Sequence, residues 1–579
     1  MRTVPMRRFL WLLSIVALSI PLTACPPQDA GSGGGDGGQV ADLVLRGGKI
    51  VTVDDDNPEV SALAAKDGKI IALGDDDAVN DLIGAGTEVI ELGGKMAMPG
   101  FIEGHGHFMG LGDSRIQLDL RTADTWDDIV AMVGEAASTA TPGAWIRGRG
   151  WHQDKWSAVP EPNVEGFPLH QGLSAVSPEN PVLLTHASGH AIFANAKAME
   201  LAGVTADTAD PPGGEILHGP DGEPMGLFRE TAEDLIQAVR GDTPSPEELA
   251  KMANLAAQES LAKGVTSFQD AGSSFEVVDF LRQHVTTDDW NGPRLWMMIR
   301  ASNEALTERI GEVAQATDDD PWLTVGGIKL SLDGALGARG AWLLEPYTDS
   351  PESTGLNLIP VELARATADI AIENDVQLCI HAIGDRANRE VLDVFEETFA
   401  AHPDKADLRW RVEHAQHLHP EDLPRFAELG VIASMQAVHC TSDGPWVPDR
   451  LGDQRSEEGA YMWRTLLDSG AVVTNGTDVP VEDISPIASY ASSVTRLMNN
   501  GERFYPDQSM TRMEALKSYT LSVAYSAFEE GAKGSLEVGK MADIVVLSKD
   551  LLTVDEAELP NTEVLYTIVD GQVVYRSQG

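Results

Sequence analysis

Met98-Pro-Gly-Phe-Ile-Glu-Gly-His105-Gly-His107-Phe108 is the stretch from which the fold is read. Alternate residues of a strand point the same way, so an apolar strand ending in His-x-His aims two imidazoles at one point. Alone the pattern is short and common. It is followed, however, by Lys329 in Gly-Gly-Ile-Lys-Leu-Ser-Leu-Asp-Gly, His381 in Gln-Leu-Cys-Ile-His, His414 in Arg-Val-Glu-His and Asp478 in Thr-Asn-Gly-Thr-Asp. Each ends a short apolar run. Eight such runs can be counted, at 98–104, 265–270, 295–300, 325–332, 376–382, 408–414, 431–436 and 472–478. All but the first follow a helix-like stretch, such as 246–263 with Ser245 as N-cap, or 361–374 with apolar positions every three or four residues. This alternation predicts an α/β fold, a (β/α)8 TIM barrel, whose reactive groups collect at the C-terminal ends of the strands.

Outward from the barrel, region 98–530 is much longer than the roughly 250 residues a bare barrel needs. An insertion is expected at about 120–235, between the first and second strands, where Pro181-Val-Leu-Leu-Thr and Ser188-Gly-His190 lie. Its expected role is to cover the barrel mouth and shape the substrate pocket as a lid. Strand-like runs and Asp-Gly turns in 41–97 return in 531–579, which predicts one small β-sandwich built from both chain ends.

The first 24 residues read as an export signal. Arg7 and Arg8 precede an apolar run too short to cross a bilayer, and Leu22-Thr-Ala-Cys25 matches a bacterial lipoprotein cleavage box. Cys25 is then the lipidation site, and 25–40, rich in Gly and Ser, a flexible tether. The expectation is an exported, membrane-anchored lipoprotein that touches the membrane only through its lipidated N-terminus. Of 579 residues 42% are hydrophobic, and the net charge of −48 is spread through runs such as Asp54-Asp55-Asp56 and Asp75-Asp76-Asp77. A soluble globular body is expected, and nucleic acid is excluded as its partner. Cys379 and Cys440, in core-like segments, read as buried thiols in preference to a disulfide.

His105, His107, Lys329, His381, His414 and Asp478 together describe two adjacent divalent cations, provided the Lys329 amine is carboxylated, since an ammonium has no lone pair to offer. In this scheme His105, His107 and Asp478 hold one metal and His381 and His414 the other, with modified Lys329 and a hydroxide between them. Asp478 is the catalytic base, later passing its proton to a leaving nitrogen. Zinc suits the ligand set best, with other transition metals close behind. If Lys329 is instead a salt-bridge partner of Asp333, the site holds a single metal. Glu413, next to His414, is expected to face away from the metals. His190, Gln436 and His439 are candidates for substrate contact, while His417 and His419 read as helix-entry residues.

The chain resembles the amidohydrolase superfamily and, within it, the YtcJ-like metal-dependent hydrolases. The resemblance is carried in order by the His105/His107 stretch, Gly150-Trp-His-Gln153, Ser188-Gly-His-Ala-Ile-Phe-Ala-Asn195, Lys329-Leu-Ser-Leu-Asp-Gly-Ala-Leu-Gly-Ala-Arg339 and His381-Ala-Ile-Gly-Asp-Arg-Ala-Asn388. Arg411-Val-Glu-His-Ala-Gln416, Gly476-Thr-Asp-Val-Pro480 and Gly534-Ser-Leu-Glu-Val-Gly-Lys-Met-Ala-Asp543 complete it. It implies a barrel with a composite sandwich, the ligand roles above, and hydrolysis of a C–N bond in a small amide, formamide or cyclic amide. Two positions depart from the family pattern: Gly340 stands where a threonine is usual, and Ala437 where a proline is common. Two other readings stay open, a mononuclear deaminase of a heterocycle and a non-catalytic, tethered solute-binding lipoprotein. Substrate identity and oligomeric state stay open too.

Overall fold

The computed structural model describes residues 40–578 apart from 242–243, 288–289 and 319. The export signal, Cys25 and nearly all of the expected tether lie outside the described residues. Eight parallel strands follow one another in chain order around a single sheet. They are β1 (Phe101–Gly106), β2 (Val265–Ser273), β3 (Arg294–Ile299), β4 (Leu323–Ser331), β5 (Gln377–Ala382), β6 (Arg411–His414), β7 (Ile432–Met435) and β8 (Val473–Asn475). β1, β3, β5, β6, β7 and β8 are buried along their whole length, as expected for parallel strands covered on both faces. Helices Pro246–Ala262, Phe275–His284, Asn303–Gln315, Val361–Glu373, Asp385–Ala401, Leu423–Leu429 and Trp463–Ser469 each precede one of β2 to β8. The first of these starts in a full capping box, Ser245 accepting from the Glu248 amide and the Glu248 side chain accepting from the Ser245 amide.

β1 and β8 meet just beyond the regular ladder. The amide of Asp478 donates to the His105 carbonyl and that of His107 to the Val479 carbonyl, both at 2.7 Å. Glycine permits this approach: a Cβ on Gly104 would lie 2.4 Å from the Asn475 carbonyl oxygen, and one on Gly476 2.6 Å from the His105 nitrogen. The barrel is thus a nearly closed, TIM-like α/β fold whose seam brings Asp478 to the two histidines.

One expected boundary moves. Residues 98–104 are not a single barrel strand: Met96–Pro99 pairs antiparallel with Ile544–Leu547 in a different sheet, and β1 begins at Phe101. Both segments are buried, and only Gly100 separates them. That other sheet has eight strands from the two chain ends, joined in one hydrogen-bonded network. Leu45, Leu63, Ile70, Ile544 and Ile568 pack together in one of its cores, and Val44, Ala62, Ala64 and Val79 in another.

The segment between β1 and β2 folds into its own six-stranded sheet, ordered Gly214–His218, Pro224–Glu230, Ala191–Ala194, Val182–His186, Ile146–Trp151 and Leu118–Asp119. Trp126, Trp151, Phe167, Leu184 and Phe193 form its core. Arg149 on this sheet donates to the Pro480 carbonyl just beyond β8, at 3.5 Å, so the insertion meets the barrel at the C-terminal ends of its strands. Cys379 and Cys440 are free and buried. Among the described residues no helix is long and apolar enough to cross a membrane.

Candidate active site

His105, fully buried at the end of β1, turns Nε2 to within 3.6 Å of Asp478 Oδ1, and His107 Nε2 stands 3.2 Å from the same oxygen. The His414 ring lies 4.6 Å from the His105 ring and 4.4 Å from the His381 ring. One donor atom each from His105, His414 and Asp478 falls within 4.8 Å of the others. Lys329 lines the same cavity as His107, His381, His414 and Asp478, and burial, aided by Arg300, lowers its pKa to about 8 against the pull of Glu413 and Asp478. Burial also lowers His105 to about 4 and takes His381 and His414 well below the usual imidazole range, leaving neutral rings with lone pairs to offer. Asp478 is buried too, yet contact with His107 and the nearby imidazoles holds it well below the ordinary carboxylate range.

Glu413 does not face away from this cluster. Its Oε2 accepts from His105 Nδ1, and its Oε1 pairs with Arg411 Nε at 2.7 Å. Strand alternation fails here because His414 adopts φ +76°, so consecutive residues both turn inward. Asp478 likewise sits at φ +56°. Such left-handed backbone is uncommon outside glycine and gathers at functional sites. Although burial pushes the Glu413 carboxyl up, Arg411 and His105 hold it far below its ordinary range. A fixed anion behind Nδ1 sets the His105 tautomer and presents Nε2 as the lone pair.

The donor set fits a divalent cation. His105 Nε2, His381 Nε2 and Asp478 Oδ1 are buried with no hydrogen-bond partner among the described residues. Each unpaired buried polar atom costs about 1–3 kcal/mol, and imidazole with carboxylate is a ligand set for zinc and its transition-metal neighbours.

Two cavities open on the cluster. The smaller, of about 50 Å3, is walled by Ala335, Leu336, Ile383 and Trp446 with His152 and His439; the larger, of about 470 Å3, is polar. Of the residues expected against substrate, His439 has Nε2 3.9 Å from Asp478 Oδ2, and His190 borders both cavities with Nδ1 2.8 Å from Glu230. Gln436 borders neither: its Oε1 accepts from His414 Nδ1 at 2.7 Å and its amide nitrogen donates to the Ser434 carbonyl, so it orients a histidine. Asp333 is no partner for Lys329. It accepts the backbone amides of Trp342, Ile383 and Gly384, and burial raises its pKa to about 7. His417 is buried beneath Tyr461, and it and His419 border neither cavity.

A family model described as Amidohydrolase family matches residues 88–575. The chain belongs to the amidohydrolase family. It is 33% identical to the protein LONG AFTER FAR-RED 3 of Arabidopsis thaliana, over 93% of this chain and 92% of that one. With YtcJ of Bacillus subtilis (strain 168) the identity is 31%, over 84% and 90%. An N-substituted formamide deformylase of Arthrobacter pascens is 26% identical over 93% and 99%. Among solved structures, a metal-dependent hydrolase from Pyrococcus horikoshii OT3 superposes with a TM-score of 0.71 at 27% identity, covering 89% of this chain and 99% of that one.

Both departures of this amidohydrolase from the family pattern have a physical reason. A Cβ on Gly340 would stand 2.3 Å from Glu230 Oε1, so the carboxylate that pairs with His190 fills the space a threonine would take. Ala437 donates its backbone amide to Asn475 Oδ1 at 3.0 Å, a bond that proline cannot make. The sequence reading assigned no role to Arg149, Arg300, His152, His186 or Glu230, all of which border the cavities. The one signal pointing their way was the motif around Trp151 and His152.

Proposed function

We propose that this amidohydrolase cleaves a C–N bond in a small amide, formamide or cyclic amide. In this reading two divalent cations, zinc foremost, are held by His105, His107, His381, His414, Asp478 and a carboxylated Lys329. The observation that carries it is the convergence of buried, unpartnered His105 Nε2, His381 Nε2 and Asp478 Oδ1. Bound there, a divalent cation supplies Lewis acidity that acidifies water and polarises a carbonyl. Asp478, kept ionised beside the imidazoles, takes a proton from the attacking water and returns it to the leaving nitrogen. Glu413 and Gln436 hold the rings of His105 and His414 in the tautomers this needs. The smaller cavity suits a short acyl group, and the likeness to a formamide deformylase supports a one-carbon group among the choices. The same proposal makes Cys25 the lipid anchor of an exported protein, which a Cys25→Ser variant tests by losing both palmitate label and membrane association.

The experiment is metal analysis of the purified protein together with a screen of N-formyl, N-acyl and cyclic amide compounds. Two equivalents of metal, with formate or another carboxylate released beside an amine, support the reading, as does loss of activity in Lys329→Ala. One equivalent of metal with ammonia released from a heterocycle overturns it in favour of a deaminase. A metal-loaded protein that turns over none of these compounds points to a binding role.

A further inference from the structure

Carboxylates outnumber cations in this chain, 90 Asp and Glu against 42 Lys and Arg, so a guanidinium on a cavity wall without an acidic partner stands out. On the wall of the larger cavity Arg147 is bonded to Asp113 at 2.9 and 3.0 Å. Arg149 and Arg300, on the same wall, are in no ion pair among the described residues. Arg149 donates to the carbonyls of Pro480 (3.5 Å) and Ala187 (3.2 Å), and Arg300 to Ser331 Oγ at 3.3 Å. Of the cavity's acids, Asp113 pairs with Arg147, Glu230 with His190 at 2.8 Å, Glu233 with Gln237 at 3.1 Å and Asp478 with His107 at 3.2 Å. Asp478 is the acid whose charge Arg149 feels most, though not in bonding contact, and Asp234 is exposed and in no ion pair among the described residues. Burial raises the Glu233 carboxyl well above its ordinary range, and it forms no ion pair with Arg149. Asp270, the acid whose charge Arg300 feels, accepts from the Phe108 amide and the Ser273 hydroxyl.

The two guanidiniums come from different parts of the fold. Arg149 reaches in from insertion strand Ile146–Trp151, and Arg300 follows β3 and lies beside Lys329, both within 3.1 Å of where a Gly272 Cβ would stand. We propose that the substrate of this site carries a carboxylate, and that Arg149 and Arg300 bind it across the larger cavity while the amide lies over Asp478. The inference rests on the amide-hydrolase reading above and narrows its substrate class to acyl amides of amino acids and related acids. Guanidinium and carboxylate match in shape and charge, and a neutral analogue forfeits that pairing both at half-buried Arg149 and at exposed Arg300.

The test uses the metal-loaded full chain and two matched compounds, an N-formyl amino acid and its methylamide. The acid should have a kcat/KM about 100-fold or more above that of the methylamide. That ratio should fall about tenfold or more in Arg149→Gln and in Arg300→Gln. Denaturation midpoint and metal content, measured on each variant, separate loss of recognition from loss of folding or of metal. Equal turnover of acid and methylamide, with a ratio that neither variant moves, overturns the carboxylate site and leaves C–N hydrolysis standing. If neither compound is turned over, calorimetric titration with the acid decides: binding that weakens in both variants keeps the anion site and sinks the hydrolase reading, and no binding sinks both.

Discussion

The two ends of the barrel treat buried charge in opposite ways. At the N-terminal end Arg294, 2% exposed, reaches Asp543 at 2.8 and 3.2 Å and Asp570 at 3.1 Å, and its remaining nitrogen donates to the Pro321 carbonyl. Lys533 nearby donates to Ser267 Oγ and pairs with Glu529. At the C-terminal end His105, His381 and Asp478 are as deeply buried and leave donor atoms unmatched. One end thus ties the barrel to the sheet built from the chain termini, while the other keeps binding capacity in reserve. In barrels of this kind the bottom face serves stability and the top face chemistry, and the paired Arg294 set against the open donor atoms of His105, His381 and Asp478 follows that division.

Mutations that act on one end and spare the other would sharpen this contrast, and mutations that blur it would break it. Asp478→Asn should cost the largest effect, about 10²–10⁴-fold in kcat, with an unchanged denaturation midpoint. If activity survived, Asp478 would be no proton carrier. Asp543→Ala should strand Arg294 without its main partner and destabilise the fold by about 3–5 kcal/mol, read as a lower urea midpoint at constant turnover per folded molecule. Glu413→Gln removes the anion behind His105 and should weaken metal binding by about 10–100-fold in a chelator competition, and because it also leaves buried Arg411 without its anion the denaturation midpoint should fall as well.

The smallest effect concerns pH. Arg464 holds Glu514 down to about 2, against 4.5 for an ordinary glutamate, so in the folded state this group stays ionised longer. Its stabilisation is therefore complete above about pH 4.5 and fades as the pH falls toward 2. The pair is partly exposed, so Glu514→Gln should cost under about 1 kcal/mol at pH 7 and flatten that part of the acid-unfolding curve. An equal slope in both proteins would remove Glu514 from the account.

All eight barrel strands were legible because parallel strands covered on both faces leave continuous apolar runs that helices and turns bound. The six proposed ligands were picked out by the same pattern, since each stands at or near the end of such a run. Hydrophobicity could not mark the boundary at Gly100, since the apolar run Met96 to Ile102 continues across it while Met96–Pro99 and Phe101–Gly106 belong to different sheets. Nor could alternation locate Glu413, because the left-handed turn at His414 is a backbone choice that no pattern of residue types announces. Gln436 was picked out as a substrate contact, whereas its carboxamide oxygen accepts from His414 and its nitrogen donates to the Ser434 carbonyl. Arg149 and Arg300 carry meaning only through the carboxylates they lack, and that is a property of three dimensions.

Strand Met96–Pro99 finds its partner in Ile544–Leu547, about 450 residues later. A ribosome making this chain completes every barrel strand before it adds that partner, so the nascent barrel waits with its first sheet unfinished until the last few dozen residues emerge. Shortening the C-terminus by those residues would remove none of the catalytic groups and would still expose an apolar edge to aggregation.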